Sequence, residues 1–148
     1  MIKQFTESEL SQLKHLVTTT VMECIEAEEK DLQFIIADTL KNSEEWLRNP
    51  ESGVHLVYKS NNVVQGMVLI KEHWNLASLY VYPSMHGQGI ATSLLNQAIG
   101  VCGLKSFKKI VKLNSSTYAA GFYAKYGFNQ VGEPRNLPGG CIPFEYNL

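Results

Sequence analysis

Two glycines behind an apolar stretch are the residues of this chain best suited to bind an anion. Gly87 and Gly89 follow a segment that ends at Pro83, and a helical pattern of apolar residues begins directly at Ile90. At such a junction, backbone N–H groups without helix partners and the positive end of the helix dipole point to one place. The pattern predicts a phosphate or pyrophosphate site, and a tight strand–helix turn without a ligand is the alternative.

Two common nucleotide-binding motifs do not fit this turn. A dinucleotide fingerprint requires a third glycine where this chain has Thr92, and an acid after the next strand, which here ends at Asn114. A phosphate-binding loop of the Walker type requires Gly-Lys followed by Ser or Thr, and that triplet is absent. Both motifs are therefore excluded.

A second spaced motif follows the next predicted strand. It consists of Ser116, Ala119, Tyr123 and the pair Gly127-Phe128, with glycine in the position that commonly ends a helix. The two segments together resemble the GNAT superfamily of N-acetyltransferases. The family's first motif, Arg/Gln-x-x-Gly-x-Gly/Ala, corresponds to His86-x-x-Gly89-x-Ala91, and its second, Asn-x-x-Ala-x-x-x-Tyr-x-x-x-Gly-Phe, begins here at Ser116. The chain departs from the family at His86 and Ser116.

Apolar periodicity predicts the elements that position these motifs. Strands are expected over 2–5, 54–60, 63–71, 74–82, 108–114, 128–131 and 141–146, and helices over about 8–25, within 32–47 (one or two), 90–102 and 117–126. This order predicts a mixed α/β (α+β) sheet with helices on its faces. The resemblance implies a mostly antiparallel sheet of about six to seven strands in one acetyltransferase domain over residues 1–148.

Composition narrows the class of protein. The chain has 148 residues, of which 45% are apolar and 18% charged, as in ordinary globular domains. Residues 1–50 carry ten acids and five bases, whereas residues 51–148 carry four acids and eight bases, so the glycine turn lies in the positive part. The weak net charge of −1 argues against nucleic acid as a partner. No apolar run is long enough to span a membrane, no signal peptide is visible, and three cysteines without a CxxC pair favour a cytoplasmic protein.

The resemblance implies acetyl-coenzyme A as co-substrate, without a metal. Its pyrophosphate would lie on the glycine turn, and its pantetheine arm would follow the predicted strand that ends near Val81, bonding like an added strand where this strand and the next splay apart. The expected cofactor-binding residues are Leu79, Tyr80, Val81, His86, Gly87, Gln88, Gly89, Ile90, Ala91, Thr92, Ser116 and Tyr123.

The resemblance also implies roles in catalysis. The backbone N–H of Val81 would bond the thioester oxygen, and Tyr123 would donate a proton to the leaving thiolate, because a phenol stays protonated at neutral pH. The position where many relatives carry a glutamate holds Asn75, which cannot accept a proton. His73, expected on the same strand face, is a weak candidate for the base. A water relay through Asn75 or an amine that arrives deprotonated is equally open.

The acceptor is expected to be a primary amine of a small molecule or a protein. In this fold the connection after the first helix borders the acceptor pocket, and here it is acidic, with Glu23, Glu26, Glu28, Glu29 and Asp31. A cationic amine would suit it. The rival hypothesis is a non-catalytic module that binds or senses acyl-coenzyme A. The sequence leaves open whether the protein is a monomer or a homodimer.

Overall fold

Seven strands form one sheet in the computed structural model, which describes all 148 residues. The strands are β1 (Ile2–Gln4), β2 (Gly53–Ser60), β3 (Val63–Lys71), β4 (Asn75–Val81), β5 (Ile110–Ser115), β6 (Asn129–Gln130) and β7 (Ile142–Asn147). They are ordered β1-β2-β3-β4-β5-β7-β6. Only the β4–β5 pair is parallel, so the prediction of a mixed, mostly antiparallel sheet is confirmed.

The β2–β3 hairpin illustrates how local sequence sets the register of this sheet. Asn61 and Asn62 both adopt positive φ, at 53° and 62°. Asparagine tolerates this left-handed conformation, which two-residue hairpin turns require at both central positions. The turn pairs Ser60 with Val63 and starts β3 at the predicted residue.

Four helices cover the two faces of the sheet. They are α1 (Leu10–Cys24), α2 (Glu29–Arg48), α3 (Ile90–Lys105) and α4 (Ala120–Tyr126). Successive side chains of β3 point to opposite faces, so Val68 and Ile70 join the core beneath α3 and α4, whereas Met67 and Leu69 join the core beneath α1 and α2. All four side chains are fully buried, and each such burial contributes about 1.5–3 kcal/mol.

Some predicted boundaries differ from the structure. A single helix, α2, replaces the one or two helices expected, and α4 begins three residues later than expected. Trp74 and His73 belong to the β3–β4 turn rather than to β4, because Glu72 and His73 take positive φ values of 55° and 62° that end the strand. None of the four helices combines the length and apolar character needed to cross a bilayer.

The parallel strands β4 and β5 separate along their length. They pair in register only between Asn75 and Lys112, where the Lys112 N–H donates to the Trp74 carbonyl at 2.7 Å. Toward Val81 the two strands no longer bond to each other. This divergence opens a gap in the middle of the sheet, next to the start of α3.

Candidate active site

A cavity of about 480 Å³ occupies the gap between β4 and β5. Every residue expected to bind the cofactor contributes to its wall except Gln88. Those in the wall are Leu79, Tyr80, Val81, His86, Gly87, Gly89, Ile90, Ala91, Thr92, Ser116 and Tyr123. The Gln88 side chain instead turns toward Met85 on the exposed side of the turn. The fold thus brings both sequence motifs to one cavity.

The glycine turn directs free backbone N–H groups into this cavity. Gly87 and Gly89 have φ values of 82° and 80°, a left-handed conformation that glycine adopts without steric cost. The Ser93 N–H bonds back to the Gly89 carbonyl at 3.0 Å. The preceding N–H groups, of Ile90 to Thr92, belong to the first turn, whose donors have no helix partner. They can bond an anion with the favourable helix dipole behind them.

The edge of β4 that faces the gap also offers backbone groups. The Tyr82 N–H donates to the Gln65 carbonyl at 3.1 Å, across the β3 side. Because successive N–H groups in a strand point in opposite directions, the Val81 N–H points toward β5 and the cavity. A donor at this open edge can bond an extended ligand or a thioester oxygen.

The His86 side chain bridges the two sides of the cavity. Its Nε2–H donates to the Val81 carbonyl at 2.8 Å, which fixes the tautomer because a carbonyl only accepts. Its Nδ1 then accepts from the Tyr118 hydroxyl at 3.2 Å. The imidazole is therefore directed at the β4 edge rather than at the glycine turn, where the longer Arg or Gln of the family motif would be expected to reach a phosphate.

Tyr123 lies in the wall of the cavity with only 6% of the residue exposed. Its ring packs edge-on against Phe122 at 5.4 Å and Phe128 at 5.5 Å between centroids. Burial, and secondarily the neighbouring Tyr80, raises the pKa of Tyr123 well above its ordinary value. The phenol therefore keeps its proton at neutral pH and can act as a donor.

Ser116 uses its side chain in the turn before α4. Its Oγ accepts a hydrogen bond from the Ala119 N–H at 3.1 Å, which is a common local use of serine. The hydroxyl hydrogen remains available to a ligand in the cavity, while the oxygen organises the start of the helix that carries Tyr123.

Two residues considered for proton removal lie elsewhere. His73 is in the β3–β4 turn, and Asn75 pairs with Lys112 at the closed end of the gap; neither is in the cavity wall. Burial, and next the charge of Lys105, lowers the pKa of His73. The expectation that His73 lies on a strand face is wrong, because its positive φ places it in the turn.

Neither sequence motif predicts several other residues of the cavity wall. Thr20, Cys24 and Ile25 come from the end of α1, on the opposite face of the sheet, and reach the cavity through the gap. Tyr118 and Phe122 lie within the second motif at variable positions. Only the crossing of α1 over the gap, a tertiary feature, brings the first group to the site.

A second cavity of about 640 Å³ adjoins the first. Cys24, Ile25 and Tyr118 line both cavities. The remaining wall comes from Glu26 in the α1–α2 connection, from Thr117 before α4 and from the loop between β6 and β7. Of the acidic residues expected to border an acceptor pocket, Glu26 is the one in this wall.

Comparison with protein-family models identifies the class of protein. Residues 20–142 match the acetyltransferase (GNAT) domain. This match spans most of the chain, which therefore belongs to the GNAT acetyltransferase family, and the resemblance in the motifs is confirmed. Comparison with curated protein sequences gave no significant match.

Solved structures show the same fold at low sequence identity. PaiA N-acetyltransferase from Thermoplasma acidophilum, in complex with coenzyme A, is 17% identical with a TM-score of 0.81, covering 100% of this chain and 98% of its own. Ribosomal-protein-alanine N-acetyltransferase from Brucella melitensis is 21% identical with a TM-score of 0.76, covering 100% and 99%. YncA from Salmonella typhimurium, with its cofactor acetyl-CoA, is 15% identical with a TM-score of 0.72, covering 99% and 92%.

Proposed function

We propose that this protein transfers an acetyl group from acetyl-coenzyme A to a primary amine. One observation carries the proposal: a single cavity joins the free N–H groups of the α3 turn, the open edge of β4 and the buried phenol of Tyr123. These three features suit, in that order, the pyrophosphate, the pantetheine amides and the thioester of acetyl-coenzyme A. The family match and the coenzyme A complexes of structural neighbours support it.

The wall residues fit coenzyme A in a defined order. The turn from Gly87 to Thr92 would hold the pyrophosphate through backbone N–H groups. The Leu79–Val81 edge would bond the amides of the pantetheine arm, as in the addition of a strand. In this arrangement His86 would release the Val81 carbonyl or share it with the incoming arm, since a carbonyl oxygen accepts two hydrogen bonds.

The proposed chemistry is direct transfer. Bound acetyl-coenzyme A supplies a thioester whose carbonyl carbon forms a bond to the acceptor nitrogen while the bond to sulfur breaks. The Val81 N–H would stabilise the negative charge that develops on the carbonyl oxygen. Tyr123 would give its proton to the departing sulfur and regain one from solvent, and the acceptor nitrogen would release one proton to water.

The cavity offers no carboxylate to take a proton from the amine. Its wall contains neither Asp nor Glu, and both nitrogens of His86 are engaged in hydrogen bonds. We therefore propose that the acceptor loses its proton to water and attacks as the free amine. The rate at low acceptor concentration should then rise with pH toward the pKa of the amine itself.

Thermal melting with and without acetyl-coenzyme A tests binding. A ligand that binds only the folded state stabilises it by about 2.7 kcal/mol at one hundred times its Kd, so the midpoint should rise with ligand concentration. Adenosine, which lacks the pyrophosphate and the arm, is the control and should give no comparable shift. An unchanged midpoint at millimolar acetyl-coenzyme A would contradict the proposal.

Thiol release in the presence of amines then separates an enzyme from a sensor. We expect free coenzyme A to appear only when a suitable amine is added, together with one acetylated product per thiol. A shift in melting without acceptor-dependent thiol release would instead favour the non-catalytic acyl-coenzyme A-binding module.

A further inference from the structure

The second cavity carries one positive and one negative side chain. Arg135 lies in the loop between β6 and β7, and Glu26 lies in the α1–α2 connection. The other nine wall residues are uncharged. A cavity with a single charge of each sign favours a ligand that also carries both signs.

The loop that presents Arg135 is held in place by backbone contacts. The Arg135 N–H donates to the Cys141 carbonyl at 2.8 Å, and its own carbonyl accepts from the Leu137 N–H at 3.0 Å. A Cβ at Gly139 would lie 2.7 Å from Cγ2 of Ile25, so the loop backbone packs directly on the end of α1. The base of the Arg135 side chain therefore has a defined position.

The same loop also contacts the segment that leads into α4. The Thr117 N–H donates to the Gly139 carbonyl at 3.0 Å, and a Cβ at Gly140 would collide with the Thr117 hydroxyl. Thr117 adjoins Tyr118, which lines both cavities. The position of Arg135 is thus coupled to the junction where an acceptor must meet the thioester.

The guanidinium of Arg135 has no ionic partner within the protein. The five ion pairs of the chain involve lysines only, and Arg135 is exposed. The chain contains just one other arginine, Arg48, at the end of α2. Arginine is always charged and its planar fork bonds carboxylate and phosphate oxygens in pairs, so an unpaired arginine in a cavity wall is suited to an anionic ligand group.

We propose that the acceptor is a small amine that also bears an anionic group, with a carboxylate as the favoured anion. Arg135 binds the anion, Glu26 attracts the ammonium form, and the free amine reaches the junction at Cys24, Ile25 and Tyr118. This inference rests on the proposed acetyl transfer, and the balance of that reaction is unchanged: an amide and a thiol form. A cavity of about 640 Å³ is of the size that holds small molecules.

Matched pairs of amines test the inference. Lysine and leucine are compared with 1,5-diaminopentane and 3-methylbutylamine, which lack only the carboxylate, and O-phosphoethanolamine is compared with ethanolamine. We expect kcat/KM to be at least tenfold higher for the anionic member of the carboxylate pairs. A preference confined to the phosphate pair would identify phosphate as the anion and overturn the choice of carboxylate.

Arg135→Gln removes the charge and keeps much of the length, and Arg48→Gln is the matched control. Both amines of a pair are assayed with wild type and with the variant, so the difference in intrinsic reactivity between the two amines cancels. We expect Arg135→Gln to raise KM at least tenfold for the carboxylate-bearing member, with little change for its partner and with the melting shift by acetyl-coenzyme A retained. Arg48→Gln should leave both members unchanged.

The outcomes separate this inference from the function on which it rests. Equal use of both members by the wild type, or an unchanged preference in Arg135→Gln, overturns the role of Arg135 and leaves acetyl transfer standing. Binding of acetyl-coenzyme A without transfer to any amine overturns the proposed function and this inference with it. Restoration of the preference by Arg135→Lys supports a charge-based role.

Discussion

At the scale of single residues, Tyr123 is the proposed proton donor, and its place in the cavity wall and its protonated phenol are compatible with that role. Its place in the second motif suggested the role, and the structure puts it in the cavity wall with its pKa raised by burial. His86 and His73 show the contrast. They are chemically alike, but one bridges the cavity and the other lies in the β3–β4 turn.

We predict that Tyr123→Phe retains binding of acetyl-coenzyme A and lowers kcat by about a hundredfold, which is the lower range for losing a general acid. Tyr126→Phe is the control, because Tyr126 lies on the same helix, donates to Asn96 at 2.7 Å and is not in the cavity wall. Turnover and the melting shift with ligand are the measurements. Equal turnover of Tyr123→Phe and wild type at every pH would contradict the role.

The same residue predicts a pH profile. Because burial raises the Tyr123 pKa, its phenol remains protonated throughout the neutral and mildly alkaline range. The rate should therefore rise as the amine loses its proton and should not fall again below about pH 10. The turnover assay, repeated across this pH range, measures the profile.

At the scale of elements, the start of α3 decides whether an anion site exists. The helix supplies the dipole and the free donors, and the two left-handed glycines aim them. A Cβ at Gly89 would meet no atom within 4 Å. Glycine is therefore required there for its backbone conformation and not for space inside the protein.

We predict opposite effects for two glycine substitutions around α3. Gly89→Ala should destabilise the fold by about 1–2 kcal/mol, since alanine disfavours positive φ, and should weaken coenzyme A binding at least tenfold by redirecting the N–H groups. Gly100→Ala, within α3 and also without a neighbour within 4 Å of the added Cβ, should stabilise the helix by about 0.5–1 kcal/mol. Melting and ligand titration measure both; equal ligand affinity in the two variants would argue against the cradle.

At the scale of the whole molecule, a buried histidine links stability to pH. His55 on β2 is fully buried, with Phe5 stacked at 4.4 Å and Ser43 Oγ at 2.9 Å from Nε2. Burial lowers its pKa to about 3. Below about pH 6.5 the unfolded chain binds a proton at this residue while the folded chain does not.

We predict that the free energy of unfolding falls by up to about 1.4 kcal/mol per pH unit as pH decreases from 6.5 to 4.5. Below pH 4.5 the free energy of unfolding falls further, because the unfolded chain protonates Glu9 more readily than the folded chain does. Burial opposes its ionisation, but Lys3 and Lys59 outweigh this and lower its pKa to about 2. Denaturant unfolding of His55→Gln should show a weaker pH dependence above pH 4.5 than that of wild type. The same slope in His55→Gln would contradict the assignment.

Local chemistry makes much of the fold readable from the sequence. Asn61 and Asn62 set the hairpin, and the glycines at 87, 89 and 127 take the positive φ values that a tight turn or a helix end needs. The continuous apolar run of β3 indicates a strand buried on both faces, and its successive side chains enter the two cores in turn. The two motifs predicted the family and the residues gathered around the cavity, because both depend on short-range spacing.

Only the tertiary structure determined how the site is completed. A single register pair between β4 and β5 leaves the gap open, and the end of α1 reaches into it from the opposite face. His86 bonds to Tyr118, thirty-two residues away. The cavity that contains Arg135 and Glu26 joins three segments that lie far apart in the chain. Such contacts arise from packing between distant segments, which periodicity and spacing along the chain do not encode.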